Sequence, residues 1–411
     1  MVLQILVYEY VSGGGYAASQ VPVSALGEGY AMLRALVADF KAAGHFIATV
    51  LDSRLAAFDP PLYVDCTTKV SSRVESMAAF ETGAKAAEAV YVVAPETDGL
   101  LESFVQKAEK AGVASLNCDS AAIKTTVNKP LLTEHIKELK FATPNSLVFH
   151  THDSIEEIMG DIKKELAFPL IFKPVDGVGC SALSMVNDER QVESAIAKLN
   201  SYSALLVQEL VRGIPASVSV YSTGGEALPV SLNQQNVSLE TPETDSSYYG
   251  GTIPLDHSSK EKAFSVAKKI VESIGGLRGY IGVDMVLTED KPVVIEVNPR
   301  LTTSYIGLRM VSGFNPGQAL ADSVLRRKLP VNCETFGYAC FAKVKTPKPD
   351  KEQLFKTYGL SGVFAPPFPF SRDSSAIALV TSHGETLQTA SSRLDKNKRR
   401  LLRTLSNKVN R

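Results

Sequence analysis

Two short runs near the middle of the chain constrain it most. Residues 280–287 and 293–298 are each apolar enough to be strands, yet carry Asp284, Glu296 and Asn298 in their interiors. Thr288, Glu289, Asp290, Lys291 and Pro292 between them form a short polar turn. Successive side chains of an extended strand point to opposite faces, so Glu296 and Asn298 project together while Ile295 and Val297 pack the other way. Pairing the runs as a hairpin centred near Asp290 sets Asp284 opposite Glu296. Carboxylates facing each other across a ladder repel by up to about 1 kcal/mol. A bound divalent cation reverses that sign. Two carboxylates and an amide oxygen make a hard oxygen set suited to one or two Mg²⁺ or Mn²⁺ ions carried by phosphates. The competing reading is a solvated sheet face; the apolar flanks of both runs argue against it.

A chain of 411 residues exceeds what one core supports, which points to two or three domains. Apolar residues make up 45 %, and 43 basic residues balance 44 acidic ones. That balance gives nucleic-acid binding no electrostatic support. Apolar runs such as residues 4–8 and 89–94 are strand-length and too short to span a bilayer, and no charged-then-apolar leader opens the chain. The five cysteines have no CxxC spacing. An odd, scattered set suits a reducing cytoplasm better than a disulfide framework. The expected partners are small molecules, with neither nucleic acid nor membrane; a homo-oligomer stays open.

Residues 1–118 alternate strand and helix signals, including an amphipathic helix over 25–43 stopped by Gly44. This rhythm implies a parallel sheet covered by helices. After Asp119 the texture changes: a helix to about Thr126 precedes another over 129–139. Residues 145–212 then mix short strands with a helix over 189–200, and 119–212 form one lobe. Residues 213–345 hold more strands, a helix over 259–274 and the hairpin. Residues 346–411 read as an extension with an extended strap at 365–369 and a basic surface helix from Arg393. The fold class is therefore α/β joined to α+β.

A second constellation is Lys173 inside the apolar run 168–174, followed by Asp176, Gly177, Val178, Gly179, Cys180 and Ser181. A lysine in an apolar strand is costly unless it meets an anion. The adjacent glycine loop offers backbone N–H groups to phosphate oxygens. The rival is a snorkelling lysine beside an ordinary turn. A third element is the run 204–211, where Gln208, Glu209, Leu210 and Val211 suit an adenine slot with a carboxylate for ribose; a plain edge strand looks similar. No Gly-Lys pair is present, which excludes a Walker A loop. Gly13, Gly15 and Ala18 fit a loosened dinucleotide pattern, but Pro22 delays the helix and no acid follows at the required distance. Ser12, Gly13, Gly14 and Gly15 read better as a loop where backbone approaches a small substrate.

The order Lys129, Lys173 with its glycine loop, Glu209, Asp284, then Glu296, Asn298 and Arg300 resembles the ATP-grasp superfamily over roughly residues 119–345. The resemblance implies an ATP-grasp fold behind an N-terminal α/β parallel-sheet (pre-ATP-grasp) domain. It assigns ATP phosphates to Lys129, Lys173, Gly177, Gly179 and Ser181, and adenine and ribose to Gln208, Glu209, Leu210 and Val211. Asp284, Glu296 and Asn298 would bind one or two Mg²⁺ or Mn²⁺, and Arg300 would face the transferred phosphate. Two departures stand out: no acid follows Gly213, and the glycine loop ends in Cys180-Ser181 where a third glycine is common.

At finer grain, Tyr8-Glu9-Tyr10-Val11-Ser12-Gly13-Gly14, Glu28-Gly29-Tyr30, Asp52-Ser53-Arg54 and Asn298-Pro299-Arg300-Leu301-Thr302-Thr303 are similar to the tyramine–glutamate ligase group. That group joins the γ-carboxylate of glutamate to the amine of tyramine in methanofuran-type cofactor synthesis. The resemblance implies carboxylate activation through an acyl-phosphate with release of ADP and phosphate. Lys173 and Arg300 would act in the transfer. The acceptor pocket is expected at Ser12, Gly13, Gly14, Glu96, Asp98, Tyr249 and Gly250. For Glu96 and Asp98 helix capping is the duller alternative, and for Tyr249 and Gly250 a mobile loop. Another amino-acid or dipeptide ligase, and an ATP-binding sensor without catalysis, remain as rivals.

Overall fold

The computed structural model describes residues 2–175, 180, 182–372 and 374–406. Strands β1 (Gln4–Glu9), β2 (Phe46–Asp52), β3 (Cys66–Val70), β4 (Ala89–Val93) and β5 (Ala114–Ser115) form a parallel sheet in the order β3-β2-β1-β4-β5. β4 is buried at every position and β1 at all but its first, the continuous apolar reading of strands covered on both faces. Helices α1 (Val23–Ala42), α2 (Ser53–Ala56), α3 (Arg73–Ala86) and α4 (Leu100–Lys110) supply those covers. In α1, Leu26, Tyr30, Leu33, Val37 and Phe40 bury one stripe at helical spacing. Gly44 ends it at φ +86°, where its N–H reaches back to Lys41 O, a left-handed position that disfavours any side chain.

Helices α5 (Ser120–Val127) and α6 (Lys129–Glu138) follow. Asn128 starts α6 by accepting from the Leu131 N–H, and Pro130 occupies the first turn. That start fixes Lys129 as the first helical residue. Then come β6 (Ser146–His150), α7 (Ile155–Glu165), β7 (Leu170–Pro174), β8 (Ser184–Val186), α8 (Val192–Lys198) and β9 (Ala204–Glu209). The four strands pair antiparallel as β6-β9-β7-β8. Phe149, Ile158, Ile162, Phe172, Val186 and Val207 give this lobe its own core, separate from the main one.

The third unit is built from β10 (Ile214–Thr223), β11 (Ala227–Ser238), β12 (Ser247–Ile253), α9 (Lys260–Ser273), β13 (Arg278–Leu287), β14 (Pro292–Asn298), α10 (Tyr305–Val311), α11 (Pro316–Leu325) and β15 (Tyr338–Pro347). The chain continues through α12 (Lys351–Tyr358), β16 (Val363–Ala365), β17 (Ser375–Gly384) and α13 (Leu387–Ser406). An eight-stranded antiparallel sheet runs β14-β13-β10-β11-β12-β15-β17-β16. The division expected near residue 345 therefore falls inside β15, and the residues beyond it complete the sheet. Helix α13 buries Ala390, Leu394, Leu401 and Leu405 in a small core shared with β15 and β17. The strap at 365–369 packs inward as well, with Phe368 edge-on to Tyr30 of α1 at 5.0 Å. Among the described residues no helix is long and apolar enough to cross a membrane.

A buried clasp ties the first unit to the third. Asp39 of α1 accepts from Arg309 Nε at 3.0 Å and Nη2 at 2.8 Å, and from the Tyr305 hydroxyl at 2.7 Å. Burial pushes the Asp39 carboxyl up, and Arg309 opposes that. Removing one member of such a pair leaves the other charge uncompensated. Asp39→Ala is expected to lower unfolding free energy by roughly 3 kcal/mol in a urea titration. An unchanged midpoint would show the clasp to be dispensable.

Candidate active site

The hairpin pairs in the register read from sequence. β13 and β14 are antiparallel with Asp284 directly opposite Glu296 and Gly282 opposite Asn298, and the register shifts by a residue just after Asp284. Asn298 Nδ2 donates to Asp284 Oδ2 at 3.0 Å, and Gln235 Nε2 of β11 donates to Oδ1 at 3.0 Å. Burial pushes the Asp284 carboxyl up to about 7, and Glu296 beside it pushes the same way; the two amides and Arg300 oppose them. The acid pair is thus held together against its own repulsion. Among the described residues no cluster of three or more His, Cys, Asp or Glu side chains could hold a metal. Two carboxylates plus two amides, each able to present its oxygen after a half-turn, fit a hard cation whose remaining ligands come from phosphate and water.

Two lysines flank this pair. Lys173 sits in β7, a strand buried at all five positions and paired with β9. Burial pulls its amine down to about 8, Glu296 and Asp284 raise it, and Lys129 lowers it. Lys129 Nζ donates to Val175 O at 3.0 Å and lies 4.0 Å from Glu296 Oε2. Helix α6, strand β7 and the β13–β14 hairpin therefore meet at one cluster of two cations and two acids. Gly177, Gly179 and Ser181 lie outside the described residues. Between them Cys180 is described, and burial pushes its thiol up to about 11, with Lys343 opposing.

Arg300 follows β14 and turns toward the first unit. Its Nε donates to Glu96 Oε1 at 2.8 Å and its Nη1 to Leu301 O at 2.9 Å. Glu96 Oε2 is buried with no hydrogen-bond partner among the described residues. Helix capping does not occupy Glu96, because the residue before α4 is Gly99 and no side chain caps that helix. Asp98 is exposed, at φ +57° in the short turn ahead of α4.

The other expected positions divide. Gln208 is buried in β9. The Glu209 carboxylate accepts from Asn145 Nδ2 at 3.0 Å and the Ala167 N–H at 3.1 Å, so its oxygens already serve the lobe. The Leu210 N–H donates to Pro169 O at 3.0 Å, and Val211 follows just beyond β9. Ser12, Gly13 and Gly14 lie in a tight buried turn. Glu9 accepts from the Val11 N–H at 2.9 Å, the Ser12 N–H at 2.6 Å and the Ser12 hydroxyl, while Ser76 donates to Gly13 O at 2.6 Å. These glycines serve close packing: a Cβ on Gly14 would lie 2.6 Å from Val70. Tyr249 is 52 % exposed, and strand alternation turns Tyr248 inward instead. Gly250, at φ +140°, lets β12 approach β15, since a Cβ there would meet Phe341 O at 2.0 Å.

Residues to which the sequence reading gave no site role also join the site. Gln235 belongs to a polar run, Gln234-Gln235-Asn236, inside a strand, which is a readable signal. Glu28, Tyr248, Thr303 and Lys343 come from four separated segments; Glu28 and Thr303 fall in the quoted motifs without a role, and Tyr248 and Lys343 carry no local pattern.

A family model described as an ATP-grasp domain matches residues 126–304, and one described as a pre ATP-grasp 3 domain matches residues 45–123. A tyramine–L-glutamate ligase of Methanocaldococcus jannaschii is 30 % identical over 222 residues, covering 53 % of this chain and 57 % of the relative. The chain thus spans somewhat over half the length of that relative. An L-amino acid ligase structure from Bacillus licheniformis superposes with TM-score 0.68 at 15 % identity, covering 96 % of this chain and 97 % of that one. The biotin carboxylase domain of a Hydrogenobacter thermophilus 2-oxoglutarate carboxylase, solved with MgADP, gives 0.69 at 15 % identity, covering 97 % and 90 %. At those identities the two structures speak for the fold alone.

The turn below β1 yields a pH prediction. Burial pushes Glu9 up to about 7 from an ordinary 4.5, against the Ser12 and Val11 bonds. The folded chain holds a proton there that the unfolded chain releases. Its contribution is complete below about 4.5 and is lost as pH rises through about 7, roughly 3 kcal/mol in all. In urea unfolding from pH 5 to 8, Glu9→Gln should gain on the wild type by roughly that amount. A pH-independent difference would overturn this assignment.

Proposed function

We propose that this chain, which belongs to the ATP-grasp superfamily, is an ATP-dependent ligase that joins a carboxylate to an amine with release of ADP and phosphate. The finer reading takes the γ-carboxylate of glutamate as donor and tyramine as acceptor, as the name of the M. jannaschii relative suggests. A place in methanofuran-type cofactor synthesis follows from the same resemblance. The observation that carries the proposal is the meeting of Lys129 and Lys173 with the opposed acids Asp284 and Glu296.

In this reading residues 119–212 form one ATP-binding lobe and the unit from 213 onward the other. Lys129 and Lys173 neutralise the β- and γ-phosphate oxygens. Asp284, Glu296 and Asn298 would hold Mg²⁺, which spreads phosphate charge when bound. Backbone of residues 208–211 would line the adenine. A carboxylate oxygen attacks the γ-phosphorus, the bond to the bridging oxygen of ADP breaks, and an acyl-phosphate forms. The amine then attacks the acyl carbon, phosphate departs, and the amine proton leaves with it or to water. Arg300, held by Glu96, is aimed to steady the acyl-phosphate oxygens. An oriented donor of this kind is worth about 3 to 4 kcal/mol of barrier. Its anchoring on Glu96 makes its direction part of the fold. No protein nucleophile is needed, because phosphate itself activates the acyl group.

Glu296→Ala tests the reading. Deleting Glu296 relieves its repulsion of Asp284 but removes the acid that Lys129 and Lys173 face, so the two effects oppose each other and the thermal midpoint should shift little. ADP release with ATP, glutamate and tyramine should fall by about a hundredfold or more. Undiminished turnover would remove Glu296 from the chemistry. Mass spectrometry of products across a panel of amines and amino acids fixes the acceptor. ATP binding with no ADP release under any pairing would favour a sensor.

A further inference from the structure

An ion pair that the nucleotide chemistry leaves unused stands beside the acid pair. Lys343 Nζ of β15 donates to Glu28 Oε1 of α1 at 2.8 Å and to Ser24 Oγ at 3.1 Å. The Thr303 hydroxyl donates to Glu28 Oε2 at 2.9 Å. The two charged side chains keep only 15 % and 23 % of their surface exposed. The Lys343 ammonium also lies 5.5 Å from the centre of the Tyr248 ring. Thr303, which binds Glu28, lies three residues beyond Arg300, and its neighbour Ser304 has its hydroxyl 3.4 Å from that of Ser217, the β10 residue paired with Asp284. The pair therefore borders the space into which a phosphoryl acceptor must project.

A clasp between α1 and β15 does not require charge. Taking two ions out of water costs several kcal/mol each, and apolar residues of similar volume commonly do as well or better. Opposite charges presented side by side match one ligand chemistry closely, the zwitterionic head of an α-amino acid. Its ammonium pairs with Glu28 and its carboxylate with Lys343, so four charges alternate where two stood. Ser24 and Thr303 then supply neutral donors and acceptors at the edges. A plain amine would engage Glu28 and strand Lys343; a plain dicarboxylate would do the reverse.

We infer that Glu28 and Lys343 are specificity residues that hold the α-ammonium and α-carboxylate of the amino acid whose side-chain carboxylate is activated at Asp284 and Glu296. This rests on the ligase reading for the fate of the bound amino acid, but the headgroup site is testable by binding alone. Calorimetric titration of the full chain in saturating MgADP uses three probes: L-glutamate, glutarate, which lacks the ammonium, and 4-aminobutyrate, which lacks the α-carboxylate. Wild type should bind glutamate at least about 30-fold more tightly than either analogue. Glu28→Gln should erase the preference over glutarate alone, and Lys343→Met the preference over 4-aminobutyrate alone. MgADP affinity should stay within about twofold in both variants, because neither residue meets the nucleotide. Equal binding of the three probes to wild type, or no glutamate binding, overturns the inference even if neither variant folds. Preferences that persist in folded variants overturn it too. The expected binding pattern without ADP release keeps the headgroup site and removes the ligase; ADP release with three equal affinities does the converse.

Discussion

Everything distinctive about this molecule turns on two acids facing each other across a strand pair, Asp284 and Glu296. In an ordinary sheet such a pair is a defect. Here the surroundings hold it: two amide groups bind one carboxylate, and two lysines from other segments approach the other. Each compensation comes from a different part of the chain. The hairpin therefore acts as the point to which α6, β7 and β11 are referenced.

The three units give that point its depth. The small four-stranded lobe has a core of its own and brings Lys173 in from one side. The eight-stranded sheet carries the acids, and the first unit reaches it through Asp39 with Arg309 and through Glu96 with Arg300. Both contacts are buried ion pairs, which geometry makes directional where an apolar contact would allow sliding. Arg300 thus comes to the cluster already aimed. Strands β16 and β17 finish the sheet, so β15 can present Lys343 from an interior strand rather than an edge.

How much of this was legible in sequence depended on whether the signal was local. The hairpin register was, because strand alternation and a five-residue turn fix which residues face each other. The start of α6 near residue 129 was, and the Asn128 cap with Pro130 in the first turn accounts for it. Tyr249 shows the limit of the same rule: one residue of slip in a strand exchanges faces, and Tyr248 turned out to be the inward one. The Glu28–Lys343 pair spans 315 residues, and nothing local to either residue marks the pairing. The C-terminal strands were missed for a related reason. β17 pairs with β15 and β16 with β17, and an isolated apolar run next to prolines reads as a strap until the edge it joins is known. Glu209 reads as a ribose ligand by order in the chain; its oxygens also accept from Asn145 and the Ala167 N–H, contacts that sequence order does not reveal.

The charges also set what the cluster accepts. Lys129, Lys173 and Arg300 face Asp284, Glu296 and Glu96, a nearly balanced set packed away from water. A bare polyphosphate would gain the lysines but meet the acid pair. A bare divalent cation would gain the acids but meet the lysines and displace the proton that burial favours on Asp284. A cation already carried on phosphate brings both signs in the right order and leaves the local balance almost unchanged. In a site of low dielectric that matching decides the outcome, because an unmatched charge there keeps most of its Coulomb energy. In the proposed reading the sheet would therefore favour the metal–nucleotide complex over either component, and the same two mutually repelling acids would supply that preference.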